Sequence, residues 1–263
     1  MSALPLLALL LAAEPLPSAP QEVRRAALAE SRASATPHLA LAGADSRRAE
    51  AAIEACRERL MRHGDGAADP RAREIARALL AASQDPGLSE PLARRALHAV
   101  AEGRDRLGEE VADAVARLAE TGREGLRSDA AEVLGEVGGA RHVPALARLA
   151  SANPAREGAQ VALERIGGKG TAAAFAKGIS DNSLAPAGRV ALLRAAARRD
   201  LREVSASAVA ALSEPAVAAE ARKAVLRLAQ RSDLPGLRAA RDGSTDAAAR
   251  GALERLIARL EKE

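Results

Sequence analysis

The sequence predicts an all-α fold, an α-solenoid of stacked antiparallel helix pairs, and three observations predict it. The 263 residues are 48% hydrophobic, yet they include no Trp, no Tyr and a single Phe, Phe175, so the apolar mass is almost wholly Ala, Leu, Val and Ile. Ala and Leu lose little side-chain entropy in a helix, and the β-branched and aromatic residues that favour strands are sparse. An apolar-x-x-apolar tetrad recurs about every 30 residues along the second half of the chain, and breakers recur in step with it. Small side chains also let helices approach closely, which suits thin two-layer stacking better than a thick core on aromatic anchors.

The chain opens on Ala3 to Ala13, an uncharged apolar run of signal-peptide length and too short to span a bilayer as a helix. Leu11-Ala12-Ala13 offers a small residue for cleavage, and Glu14 to Pro20 is a Pro-rich spacer. Residues 1–19 therefore read as a signal peptide and spacer, with export to the periplasm or the extracellular side as the expectation. Met1-Ser2 supplies no basic residue ahead of the run, so a cytoplasmic chain with an apolar N-terminal cap is the alternative. No transmembrane anchor is expected.

Residues 20–89 are expected to form a degenerate helical cap: a short helix near Gln21 to Ser31, then a pair over Ala51 to Met61 and Arg73 to Ala82. Ile53, Cys56 and Leu60 share one face, and Ile75, Leu79 and Leu80 another. A lone cysteine makes neither an internal disulfide nor a multi-cysteine metal site, so Cys56 is expected to be a small buried residue.

Residues 90–263 carry the repeat array. The tetrads begin at Leu134, Leu163, Leu193, Val225 and Leu253, at steps of 29, 30, 32 and 28 residues. An earlier copy at Leu97 lies 37 residues before Leu134, which implies an insertion near Gly103 to Gly108 or Gly122 to Gly125. A span of about 30 residues holds two helices of about 12 and two short loops. Asp85-Pro86, Asn153-Pro154, Asp181-Asn182, Glu214-Pro215 and Asp242-Gly243 precede tetrad helices, where a short polar side chain is expected to cap exposed amides. Gly138-Gly139, Gly167-Gly168 and Asp233 to Gly236 follow the tetrad helices and are expected to end them, by the left-handed conformation open to Gly or by a break.

Leu126-Arg127-x-x-Ala130-Ala131-x-x-Leu134-Gly135-x-Val137-Gly138, followed by Val143-Pro144-x-Leu146-x-x-Leu149, resembles the HEAT-like repeat shared with bilin-lyase subunits. Ala155-Arg156-x-x-Ala159-x-x-Ala162-Leu163-x-x-Ile166-Gly167 repeats the pattern, and the resemblance covers about 90 to 260. It implies a right-handed superhelix of antiparallel pairs with the tetrad helices on the concave side. The family's second-helix Arg stands only at Arg127 and Arg156; the later copies hold Pro186, Ala218 and Asp246 there. An uninterrupted Arg-Asp ladder of the family's kind is therefore not expected.

The formal charge is +4, but the Arg residues are interleaved with acids, as in Glu54 with Arg57 and Glu58 with Arg62, the pattern of solvated helical faces. Without Trp or Tyr, and with Phe175 alone, base stacking worth about 1 to 3 kcal/mol per base is essentially absent, and only phosphate contact by Arg would remain for nucleic acid. The four His residues, His38, His63, His98 and His142, form no ligand motif, and HExxH and CxxC are missing, so no metal or cofactor is expected. Gly167-Gly168-Lys169-Gly170-Thr171 departs from the phosphate loop at both Leu163 and Gly170, and no Gly-x-Ser-x-Gly occurs.

No catalytic residues are therefore assigned. The leading expectation is a non-enzymatic scaffold that binds a protein partner through the concave helix face. Its candidate contacts are Arg94, Arg127, Glu132, Arg156, Gln160, Arg189 and Arg222, polar residues off the tetrads on those helices. The alternatives are an accessory subunit or enzyme related to the bilin-lyase-type proteins, or a cytoplasmic basic scaffold on nucleic-acid backbone.

Overall fold

A computed structural model describes residues 46–62 and 70–262, together with Ala29. The expected export segment, the helix near Gln21 to Ser31, His38 and His63 lie outside the described residues, Ala29 excepted.

Thirteen α-helices follow one another among the described residues, with no strand: α1 Ser46–Arg62, α2 Pro70–Gln84, α3 Glu90–Ala101, α4 Glu109–Thr121, α5 Arg127–Val137, α6 Val143–Leu149, α7 Arg156–Arg165, α8 Thr171–Ile179, α9 Pro186–Arg198, α10 Ser205–Ala210, α11 Ala218–Leu228, α12 Leu234–Gly243 and α13 Ala247–Leu260. The odd-numbered helices stack side by side in a first layer, and the even-numbered ones pack behind them in a second. This is an α-solenoid of stacked helix pairs. Helices of the first layer run parallel: Ser128 near the start of α5 bonds Gly158 near the start of α7, and Glu132, further along α5, meets Arg165 at the end of α7.

The tetrads explain the stacking. Leu97, Val100, Leu134, Val137, Leu163, Ile166, Leu193, Ala196, Val225, Leu228, Leu253 and Leu256 are all buried, each pair lying one turn apart on the face that meets the second layer and the neighbouring pair. A single pair would leave half of that surface wet, so stability accumulates by neighbour contacts along the array. In α1 and α2, Ile53, Cys56, Leu60, Ile75, Leu79 and Leu80 are buried in the same core. Burial pushes the Cys56 thiol up to about 12, which keeps it a protonated packing group.

The long step between Leu97 and Leu134 is taken up by a 3₁₀ turn over Arg104–Leu107, entered through Arg104 at φ 45° and left through Gly108 at φ 76°. The turn plants Leu107 in the core, fully buried. It also aims Arg106 at the carbonyls of Leu60, 2.8 Å, and Glu102, 2.9 Å. The insertion thus fastens the end of α1 to the end of α3.

The breakers act differently from their expected roles. Asp85 and Asp181 accept from the amides of Gly87 and Ser183 two residues on, at 2.8 and 2.9 Å, and so close turns that end before α3 and α9 begin. Asp242 lies inside the last turn of α12, and the cap of α13 is Asp246, which accepts from the amides of Ala248 and Ala249. After α5, Gly138 and Gly139 are extended rather than left-handed; a Cβ on Gly138 would sit 2.4 Å from the Leu134 carbonyl oxygen. After α7, by contrast, Gly168 and Gly170 take positive φ, and the Thr171 hydroxyl lies within hydrogen-bond reach of the carbonyls of Gly167 and Gly168.

Candidate protein-binding face

Arg side chains that leave a helix of the first layer meet acids on the next helix, because parallel helices 8–10 Å apart bring residues one repeat distant into reach. Arg95 of α3 donates to Glu50 of α1 at 2.6 Å, and Arg94 and His98 of α3 both reach Asp129 of α5 at 2.9 Å. Arg165 of α7 bonds Glu132 of α5 at 2.7 Å, and Arg198 of α9 pairs with Glu164 of α7. Arg194 of α9 meets Glu220 of α11 at 3.2 Å, and Arg222 of α11 meets Asp246 of α13 at 3.0 Å. Every step from α1 to α13 is therefore bridged. Pairs this exposed are screened by solvent, so they set the register and the charge pattern of the face more than its stability.

Three of the candidate contacts, Arg94, Glu132 and Arg222, are rungs of this ladder. Arg127 closes its own turn by donating to the Gly122 carbonyl at 2.9 Å. Arg156 is exposed and Gln160 half-buried, and both have unshared polar groups among the described residues.

Arg189 is a correction. It is 4% exposed and donates through Nε to the Ile179 carbonyl at 2.6 Å, through Nη1 to Asn182 and Glu214, and through Nη2 to Glu214 at 2.7 Å. It belongs to the interior joint between α8, α9 and the loop before α11, and a partner does not reach it. A buried guanidinium fork needs carbonyls and carboxylates to converge on it, and here they accept four of its donors. The hydrogen bond from Arg189 holds the Glu214 carboxyl below its usual range.

Asp129, Glu164, Arg165, Arg194, Arg198 and Glu220 went unselected at the sequence level. Their signal was a charge of opposite sign roughly one period away: the partners are 35, 33, 34 and 26 residues apart in Arg94–Asp129, Glu132–Arg165, Glu164–Arg198 and Arg194–Glu220.

On the second layer, Arg141 and His142, at the start of α6, both reach Asp113 of α4. The Gly139 amide donates to His142 Nδ1 at 3.1 Å, so Nε2 carries the proton and donates to Asp113 at 3.0 Å. Both nitrogens are thus committed, which suits a joint and not a proton shuttle. The hydrogen bond from His142, then that from Arg141, keeps the Asp113 carboxyl below its ordinary value. A carboxylate depressed in the fold stabilises fully above its unfolded pKa and loses that contribution as the pH falls through its folded one. The array is expected to lose stability progressively below about pH 5, with a shallower acid dependence in Asp113→Asn. Thermal unfolding followed by circular dichroism from pH 7 to 3 reads this, and equal slopes would show that Asp113 takes no part.

At the C-terminal end two hollows border the seam between α11 and α13. The larger, about 710 Å³, is walled by Val209, Leu212, Ala219, Ala240, Ala249 and Leu253, with the Arg222–Asp246 pair at its edge. The smaller, about 340 Å³, is lined by Leu226, Ala252, Arg255, Leu256 and Arg259. Among the described residues no group of His, Cys, Asp and Glu is placed to hold a metal ion, and no helix is long and apolar enough to cross a membrane.

No family model matches the chain, and no curated protein does. Among solved structures the chain is similar to human deoxyhypusine hydroxylase in complex with glycerol, at 17% identity and a TM-score of 0.36, over 94% of this chain and 93% of that one.

Proposed function

We propose that this chain is a non-enzymatic, exported repeat scaffold that binds a protein partner across the exposed face of the first layer. The observation that carries the reading is the ladder itself. Seven parallel helices, spaced about 8–10 Å apart, present a strip of about 50 to 60 Å on which half-exposed bases and the mostly more buried acids they hold alternate from α1 to α13. Such a strip has the reach of a protein interface and the mixed sign that steers and registers a protein partner. A phosphate backbone would need those Arg residues unpaired, and most of them already hold carboxylates. Arg156 and Gln160, in the middle of the strip, are among the polar groups still available to a partner.

Affinity capture with the full chain at rising salt, followed by cross-linking, tests this. A protein is expected to remain bound at high salt, with cross-links on α5, α7 and α9, and Arg156→Ala with Gln160→Ala is expected to weaken it roughly tenfold. Retention of nucleic acid that collapses with salt, or cross-links confined to the second layer, would overturn the reading. Export is tested by N-terminal sequencing: a mature chain beginning near Glu14 supports it, and an intact Met1 in the cytosol refutes it.

A further inference from the structure

In the first layer the residue after the tetrad's first position follows one rule, and α11 breaks it. The residue after the tetrad's first position is polar or glycine in the other copies: His98, Gly135, Glu164, Arg194 and Glu254. His98, Glu164 and Arg194 are rungs. In α11 that position holds Leu226, 39% exposed and facing the hollow of about 340 Å³ against α13. A rung has been replaced by an apolar side chain with a cavity beside it.

The charges around it are also inverted. In the α5–α7 step, Arg165, two residues after Leu163, sits between Glu132 at 2.7 Å and Glu136 at 3.5 Å, which stand two residues before and after Leu134. In the α11–α13 step the corresponding base is Arg255, and the places of the two acids are taken by Lys223 and Arg227. Lys223 is held by Glu220 of its own helix at 3.2 Å. Arg227 and Arg255 are exposed and have no ion-pair partner among the described residues. The step thus carries two bases where the α5–α7 step carries two carboxylates, around an apolar hollow.

Resting on the scaffold reading, we infer that the α11–α13 seam is the docking point for an acidic amphipathic segment of the protein partner. One aliphatic or aromatic side chain of that segment fills the hollow between Leu226 and Leu256, removing Leu226 from water. Its Asp or Glu side chains, three or four residues to either side, bring the carboxylates that the step itself lacks and pair with Arg255 and Arg227. Arg259, which lines the same hollow, lies along the path of such a segment.

The test is selection of a displayed random 12-residue peptide library on the full chain, with the enriched peptides synthesised and their affinities measured by fluorescence anisotropy. The expected peptides carry one large apolar residue with Asp or Glu within four positions. Their binding should fall at least tenfold in Leu226→Glu and in Arg255→Glu, and remain within twofold in Arg148→Gln on the second layer. Leu226 and Arg255 are exposed, so both variants should keep the wild-type circular dichroism; if Leu226→Glu does not, Arg227→Glu with Arg255→Glu serves in its place. Peptides carrying Lys at the acidic positions should bind that double reversal better than they bind the wild type. Neutral or basic selected peptides, binding indifferent to both single variants, or a self-association abolished by Leu226→Glu would overturn the inference. If acidic peptides bind the seam while no protein is captured by the face, the scaffold reading fails and the site stands. If a protein is captured and cross-linked but ignores Leu226→Glu and Arg255→Glu, only the site fails.

Discussion

Replacing Gly158 by valine is expected to destabilise the array by about 3 kcal/mol, near the upper end of the usual cost of overpacking. Gly158 lies where α7 crosses closest to α5. A Cβ there would stand 1.8 Å from the Ser128 carbonyl oxygen and 2.7 Å from its carbonyl carbon, and both are backbone atoms that no rotamer change removes. The same crossing is pinned from the other side by Gly135, whose Cβ would meet Ala162 Cα at 2.6 Å. The Gly158 amide also donates to Ser128 Oγ at 3.0 Å, a bond that separation of the helices would break. For a chain of this size the loss corresponds to a fall in Tm of roughly 6 to 12 °C. Gly139→Ala is the control, because a Cβ there meets nothing within 4 Å. A Gly158→Val protein that melts with the control would show that α5 and α7 do not approach as closely as described.

Arg189→Met is the second large effect, expected at about 3 kcal/mol. Truncating one member of a buried ion pair commonly costs about 3 to 5 kcal/mol, and the lower end applies because the Glu214 side chain is 38% exposed and regains water. The Ile179 carbonyl would also lose its charged donor at 2.6 Å. The variant carries a distinctive sign in pH. Glu214 is depressed by Arg189 in the folded state, so its contribution is present above the ordinary carboxylate range and lost as the pH falls through the folded value. The gap in stability between wild type and Arg189→Met should therefore be widest near neutrality and narrow on acidification. Urea unfolding at pH 7 and pH 4 measures it, and a gap that stays constant would assign the loss to packing instead of the ion pair.

Local periodicity carried most of the scaffold. The tetrads lie one turn apart on single helices, so their burial follows from residues that are near in sequence, and no knowledge of neighbours is needed to see which face must leave water. The insertion was legible for the same reason: a step of 37 residues among steps near 30 leaves extra chain, and the structure spends it on the Arg104–Leu107 turn and buried Leu107. The breakers were legible as places but not as roles. Whether Asp181 caps a helix or closes a turn depends on where the next helix starts, and Pro186 at the first position of α9 moves that start past it.

What the sequence determined by itself, then, was helix content, repeat period and the apolar face of each helix, all set by contacts within a turn or two. What only the tertiary structure decided was which charges meet. Loop lengths change from repeat to repeat, so paired residues are separated by anything from 24 to 45 positions, and that variation spans more than five helical turns of register. Arg189 shows the same dependence at its sharpest: its own helix marks it as a surface residue, and it is interior because Ile179, Asn182 and Glu214 from other elements converge to satisfy a fork of donors that water would otherwise have to solvate.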